Sequence, residues 1–245
     1  MSHRFKKPKP FPSRPPSVTL PGNNIRSLYK YFSELKYAEA FLDGEMLFRS
    51  LAYFRDNEDA VRGDEYEGTS KFLPDGGLVV HNHTQGTIFT LPMAFESSVN
   101  AQEIFVYCVS EALRADIAEE FYAVACVEIT KISTLCARIR EALPATAAFR
   151  ARPVDYYPQT QGGNPRWALP DQIATSKLAR WASQNEYRFM FSLTDALGFE
   201  KVDTRLIDRK NRPIPKPDEH ISRLLKVRSL RDICILHDCE ALWPR

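Results

Sequence analysis

Glu186 and Arg188, in the run Trp181-Ala-Ser-Gln-Asn-Glu-Tyr-Arg-Phe-Met-Phe191, are the residues whose types and spacing point most directly to chemistry. Two positions apart on a strand, a carboxylate and a guanidinium share one face. Tyr187, Phe189 and Phe191 alternate with them, so the odd face reads as core and the even face carries the charged pair. Charge at the start of an apolar strand is costly to bury unless it is partnered. The pair is therefore either a structural ion pair or the edge of a site.

Other chemically capable residues stand near the ends of short elements: Lys30 and Tyr31, Arg49 and Ser50, and Tyr53 and Phe54. The mixed-charge stretch from Phe54 to Gly68 holds Arg55, Glu58, Asp59, Arg62, Asp64 and Glu67. It reads equally as a solvated loop or as a lid over a site. His81 and His83 lie two apart without an acidic ligand cluster and read as surface histidines. Cys234, His237 and Cys239 fit no zinc spacing, and the five scattered cysteines read as reduced thiols. No phosphate-loop, dinucleotide-fold glycine, serine-hydrolase or zinc-protease motif occurs in the sequence. No metal is expected; the one metal-dependent alternative is a nuclease using Asp64, Glu67 and Glu186.

The elements that must position these residues follow from periodicity. Leu28 to Phe32 reads as a strand. Ser33 to Leu42 reads as a helix with Ser33 as N-cap, and Glu45 to Ser50 as a second strand. Short β-like runs follow at 78–80 and 87–90, then a strand at 104–109, a helix at 113–121, a strand at 123–129 and an amphipathic helix at 132–143. Residues 148–157 read as β, with Pro153 favouring an edge. Residues 171–181 read as a helix, 186–193 as a strand, 208–217 as a basic, proline-bearing loop, and 221–227 and 233–236 as two last strands. This order has no regular βαβ repeat. It predicts an α+β fold: a single domain with a mixed, mainly antiparallel and split sheet flanked by helices.

Some of these residues carry a resemblance. Leu28-Tyr-Lys-Tyr31, Phe48-Arg-Ser50, Tyr53-Phe-Arg55, Arg62-Gly-Asp64, Glu67-Gly68, Val106-Tyr-Cys-Val-Ser110, Val154-Asp-Tyr156, Lys177 and Trp181 through Glu186-Tyr-Arg188 stand in this order. The pattern resembles a widespread bacterial and prophage family of unknown function and spans about residues 28 to 236. The chain departs where Gln184 or Asn185 stands in place of an additional acid.

The layout is more weakly similar to ADP-ribosyltransferases. That resemblance implies an NAD-holding position at Lys30 or Tyr31, a second element at Ser50, Tyr53 and Phe54, and a catalytic carboxylate at Glu186. Lys30 departs from the usual arginine or histidine and lacks the planar two-point contact of a guanidinium. In this reading loss of nicotinamide leaves a cationic ribose, which Glu186 stabilises electrostatically. Tyr53 and Phe54 would sandwich the nicotinamide. Arg49 would bind the pyrophosphate, and Arg188 would assist in holding the dinucleotide. The expected activity is NAD-dependent mono-ADP-ribosyl transfer, with NAD as co-substrate, in a toxin or phage-defence effector. The alternative is a non-catalytic module that binds nucleic acid or protein.

Charge asymmetry bears on partners. Residues 1–24 read as a basic, proline-rich, disordered tail, and 25–245 as the single domain. The tail's Arg4, Lys6, Lys7, Lys9 and Arg14 exceed the net charge of +2, so the remainder is net acidic and is no nucleic-acid platform by composition. The tail is the expected contact to nucleic acid, with a protein partner such as an antitoxin as the other expectation. No apolar run approaches the roughly 20 residues of a membrane span, and no apolar signal segment follows the basic N-terminus. The expected location is cytoplasmic.

Overall fold

The computed structural model describes residues 26–56, 64–160, 165–208 and 221–243. The basic tail and Glu58, Asp59 and Arg62 lie outside these residues. The aromatic run after Ser27 forms β1 (Leu28–Phe32), followed by α1 (Leu35–Leu42) and β2 (Glu45–Ser50). α1 starts one residue later than its sequence suggests. Glu34, not Ser33, holds the cap position, and it makes no side-chain cap bond. Ala38, Phe41 and Leu42 form the buried stripe of the helix. Between α1 and β2, Gly44 has φ +97°, and a Cβ there would lie 2.2 Å from the Val227 carbonyl oxygen. Only glycine fits both the left-handed backbone and that approach.

The chain continues through α2 (Leu51–Asp56), β3 (Thr69–Phe72), β4 (Leu78–Asn82), β5 (Thr87–Leu91), β6 (Met93–Ser98) and β7 (Phe105–Ser110). Next come α3 (Ala115–Glu120), β8 (Ala125–Ile129), α4 (Ile132–Ala142), β9 (Ala148–Pro153) and β10 (Asp155–Tyr157). The last elements are α5 (Pro170–Ile173), β11 (Ser176–Leu178), β12 (Glu186–Ser192), β13 (Asp203–Asp208), β14 (Ser222–Lys226), β15 (Cys234–Asp238) and α6 (Cys239–Leu242). Pro153 ends β9, which among the described residues pairs with β12 alone, so this proline sits on an edge where its missing N–H costs no ladder bond.

The expected helix over 171–181 is the largest difference from the sequence reading. Of that span only the segment within Pro170–Ile173 is α-helical. Ser176–Leu178 is instead a strand pairing in parallel with β10, and a 3-10 turn over Ala179–Gln184 leads to β12. Tertiary pairing overrides a weak helical preference here.

Eight strands among the described residues form the main sheet, in the order β14-β2-β7-β1-β8-β15, with β12 and then β9 attached through β7. The pairings within it are antiparallel, and β10–β11 supplies a parallel pair. This is a single α+β domain with mainly antiparallel sheets, the parallel pair forming a two-stranded sheet of its own. β7 pairs with β12 along its whole length, from Glu186↔Ser110 to Phe191↔Phe105. Its other edge is shared. β2 meets it at Arg49↔Val106 and Ser50↔Phe105, while β1 meets it at Tyr29↔Ser110. Between those contacts the sheet is split. Phe41, Phe48, Tyr107, Tyr187, Phe189 and Phe191 pack with Leu135 and Ile139 of α4 on one face of the sheet. Burying such a side chain contributes about 1.5–3 kcal/mol. On the other face a smaller cluster places Leu51 and Ala52 of α2 against Val106 and Met190. Among the described residues no helix is long and apolar enough to cross a membrane.

Candidate functional site

Pairing register decides which side chains meet. Tyr29 lies opposite Ser110, Arg49 opposite Val106, Glu186 opposite Ser110 and Arg188 opposite Cys108. Directly paired residues share a face, so Tyr29, Arg49, Glu186 and Arg188 project to the same side of the split sheet. A cavity of about 250 Å³ lies there. Tyr29, Lys30 and Tyr31 line it from β1, Arg49 from β2, and Tyr53 and Phe54 from α2. Val106 to Ser110 of β7 and Glu186 and Arg188 of β12 complete the sheet side, with Glu67, Lys177 and Gln184 across from them. Lys30 points to the opposite face from its neighbours on β1 but reaches the gap in the sheet. There its Nζ donates to the Cys108 carbonyl at 2.8 Å and lies 4.7 Å from the Tyr107 ring centroid.

At the inner end of the cavity two carboxylates and two cations form a buried network. Arg188 is 1% exposed. Its Nη1 and Nη2 donate to Glu67 Oε2 and Oε1 at 2.8 and 2.5 Å, its Nε donates to Glu186 Oε1 at 2.7 Å, and Nη1 also donates to the Ala174 carbonyl at 2.7 Å. Lys177 Nζ donates to Glu186 Oε2 at 3.0 Å and to Gln184 Oε1 at 3.1 Å, and lies 3.6 Å from Glu67 Oε1. Each charge therefore faces an opposite one, the condition on which buried ions are tolerated. Burial works against the charge on Glu186, but Arg188 and Lys177 outweigh it and hold the carboxyl well below the usual range. Burial likewise opposes the charge on Lys177 and Arg188, and Glu186 and Glu67 outweigh it, raising both. Cys108 is pushed up by burial and by Glu186, so it is a thiol and not a thiolate nucleophile.

Backbone geometry holds the network in place. Gly68 has φ +72°, which turns the chain directly after Glu67, and Arg55 donates from Nε and Nη2 to the Glu67 carbonyl at 3.0 and 2.5 Å. Asn185, with φ +42°, makes the left-handed step from the 3-10 turn into β12. Asparagine tolerates this conformation better than most residues. The Glu186 N–H donates to the Tyr156 hydroxyl at 2.8 Å. Beside the network Asp64 is buried, accepts from the Tyr66 N–H at 3.1 Å, and lies 3.8 Å from Arg180. Burial, followed by the charge of Glu67, pushes its carboxyl up to about 6.

Of the residues singled out in the sequence, Lys30, Tyr31, Arg49, Tyr53, Phe54, Glu186 and Arg188 come together at the one cavity. Ser50 does not line it. Its hydroxyl accepts from the Tyr53 N–H at 3.3 Å at the start of α2, and its register opposite Phe105 turns it to the other face from Arg49. The Tyr31 hydroxyl donates to the Ala112 carbonyl at 2.7 Å and accepts from the Arg114 N–H at 2.9 Å, which ties it to the loop before α3. The Tyr53 and Phe54 rings meet edge to face at 88°, 5.3 Å apart. They form a corner, so a flat ligand lies against one ring and is not sandwiched between the two. The Arg49 guanidinium covers the Tyr53 ring at 4.2 Å and donates to Ser222 Oγ at 3.0 Å.

The metal arrangement of Asp64, Glu67 and Glu186 is not formed, because Arg188 stands between Glu67 and Glu186. Among the described residues no three His, Cys, Asp or Glu side chains group as metal ligands. Sequence reasoning gave Lys177 and Gln184 no role and placed Glu67 in that metal site or in a loop or lid from Phe54 to Gly68, not in an ion pair with Arg188. The available signal was the presence of Glu67-Gly68 and Lys177 in the same ordered pattern as Glu186 and Arg188. No family model, curated protein or solved structure matches the chain.

Proposed function

We propose that this protein is an NAD-consuming mono-ADP-ribosyltransferase-like enzyme. The observation that carries the reading is the convergence of Lys30 and Tyr31, Arg49, Tyr53 and Phe54, and Glu186 on one cavity from three separate segments. The cavity is slightly below the roughly 300–1,000 Å³ of usual small-molecule pockets. It therefore suits the nicotinamide-ribose end of the dinucleotide. Arg49, stacked on Tyr53 at the lining, is suited to a phosphate oxygen pair, and one face of Tyr53 or Phe54 to the nicotinamide ring.

Glu186 is held anionic across the working pH range, so its role is electrostatic: it stabilises positive charge that develops on the ribose as nicotinamide leaves. A carboxylate held this far below neutrality is a poor general base. The acceptor in this reading is nucleic acid or protein, with Arg4, Lys6, Lys7, Lys9 and Arg14 as phosphate contacts. The toxin or phage-defence context rests on the resemblance of residues 28 to 236 alone.

One observation favours a second reading. Both oxygens of Glu186 already accept hydrogen bonds, from Arg188 and Lys177, as they would in a binding module whose charges serve structure only. Labelled NAD incubated with the purified full chain, lysate protein and total RNA separates the two. In the transferase reading label moves to an acceptor, and Glu186→Gln, which keeps the shape and removes the charge, lowers kcat by about 10²–10³-fold. Absence of turnover by a folded wild type supports the binding module, whose ligand affinity would depend on the basic tail and not on Glu186.

A further inference from the structure

Arginine engages a carboxylate through two alternative forks, one made by its two terminal nitrogens and the other by Nε with a terminal nitrogen. In this protein Arg188 uses the first fork on Glu67 and presents only Nε to Glu186. Nη1 is further committed to the Ala174 carbonyl. Glu186 Oε2 thereby stays with Lys177, and Glu186, Arg188 and Lys177 all line the cavity.

If Glu67 were removed, the second fork would be open. Nε and a terminal nitrogen of Arg188 could close on both oxygens of Glu186 and draw Oε2 away from Lys177. The closing contact would be an ordinary bidentate pair in a dry interior, where an unpartnered guanidinium nitrogen is strongly disfavoured. Glu67 is itself fixed from behind, by Arg55 on its carbonyl and by the left-handed turn at Gly68, where a Cβ would come within 3.1 Å of Ala101. Such fixation suits a residue whose orientation matters and not only its charge.

We infer that Glu67 is the positioning residue for Glu186: by holding both terminal nitrogens of Arg188, it leaves Oε2 of Glu186 to Lys177 and so sets the orientation of a carboxylate that lines the cavity. Its consequence for turnover rests on the transferase reading; its geometric content does not. Two measurements on the full chain keep these apart. The first is the crystal structure of Glu67→Gln. The expected result is Arg188 folded onto both oxygens of Glu186; Arg188 still held toward Gln at 67 and the Ala174 carbonyl, with one Nε contact to Glu186, overturns the inference whatever the activity.

The second measurement is steady-state NAD turnover. The expected fall in kcat for Glu67→Gln is about a hundredfold, the scale of a reacting group displaced by about 1 Å, with KM for NAD within about twofold. The double variant Glu67→Gln/Arg188→Met, which has no guanidinium left to cover Glu186, should recover part of that loss. A double variant no better than the single one overturns the positioning role and leaves the transferase reading standing. An inactive wild type removes the transferase reading and leaves the crystal structure to decide the geometry. If Glu67→Gln does not fold, Arg55→Met removes both side-chain hydrogen bonds to the Glu67 carbonyl and loosens Glu67. It should reduce kcat severalfold in the same direction, and an unchanged kcat there overturns the inference.

Discussion

On one face of β12, Tyr187, Phe189 and Phe191 pack among Phe48, Phe105 and Tyr107; on the other, Glu186 and Arg188 meet Glu67 and Lys177. All seven residues of the strand are buried, so the contrast is not one of exposure. The apolar face is held by many small, non-directional contacts that a neighbour of similar shape can replace. The charged face is held by a few directed bonds, each of which leaves a costly ion behind when its partner is lost. A fold that needed only stability would gain little from the second arrangement, because a buried ion network is often no more stabilising than an apolar core of the same volume. Its presence beside a cavity is the physical reason to look for function on that face.

The largest effect expected from breaking this contrast is at Arg188. Arg188→Met leaves Glu67 and Glu186 facing each other with Lys177 as the remaining cation. It should cost on the order of 3–5 kcal/mol in denaturant unfolding. Phe189→Leu, one position along and equally buried, should cost on the order of 1–2 kcal/mol, because the replacement stays apolar and the site partly collapses. Equal losses for the two substitutions would mean that the faces do not differ in the way argued.

These two residues also mark what the sequence reveals. The alternation from Glu186 to Phe191 exposes both faces of β12, because a strand's period of two is a local property. The same rule, applied at 49 and 50, would have separated Arg49 from Ser50, which point to opposite faces. The partners of Arg188 are not local. Glu67 lies 121 positions away in sequence, and Lys177 joins because 176–178 pairs with β10 and not because of any propensity of its own. Short strands such as β3, β6 and β13, whose register is set by pairing with one another, carry little periodic signal. The basic tail, on which the nucleic-acid expectation rests, lies outside the described residues.

A smaller effect should sharpen the comparison by pH. Asp64 adjoins the charged network but shares in it poorly. Burial and Glu67 raise its carboxyl to about 6, and Lys177 and Arg180 offset this only in part. A carboxyl raised on folding binds its proton more tightly in the folded state. Its stabilising contribution is complete below the unfolded value of 3.8 and is lost as pH rises through about 6. The amount at stake is on the order of 3 kcal/mol. Asp64→Asn keeps an acceptor for the Tyr66 N–H and removes the titration. The variant should therefore match or trail wild type near pH 4 and exceed it in melting temperature above pH 7. A difference that stays flat with pH would show that Asp64 titrates as an ordinary carboxylate.

The smallest effect belongs to ion pairs of the same chemical types at the surface. Arg231 likewise bridges two carboxylates, Asp43 at 3.0 Å and Glu39 at 2.6 Å, with one nitrogen to each, and it is half exposed. Water solvates all three groups when the pair opens, and salt screens what remains. Arg231→Met should leave the melting temperature unchanged within error, at low and at high salt, while the same replacement at Arg188 unfolds a large fraction of the stability. If Arg231→Met were as damaging as Arg188→Met, the cost at Arg188 would reflect arginine–carboxylate geometry in general, and the buried face of β12 would lose its claim to be different. If only Arg188 is sensitive, desolvation sets the difference. The same desolvation holds Glu186 and its partners in fixed positions at the inner end of the cavity.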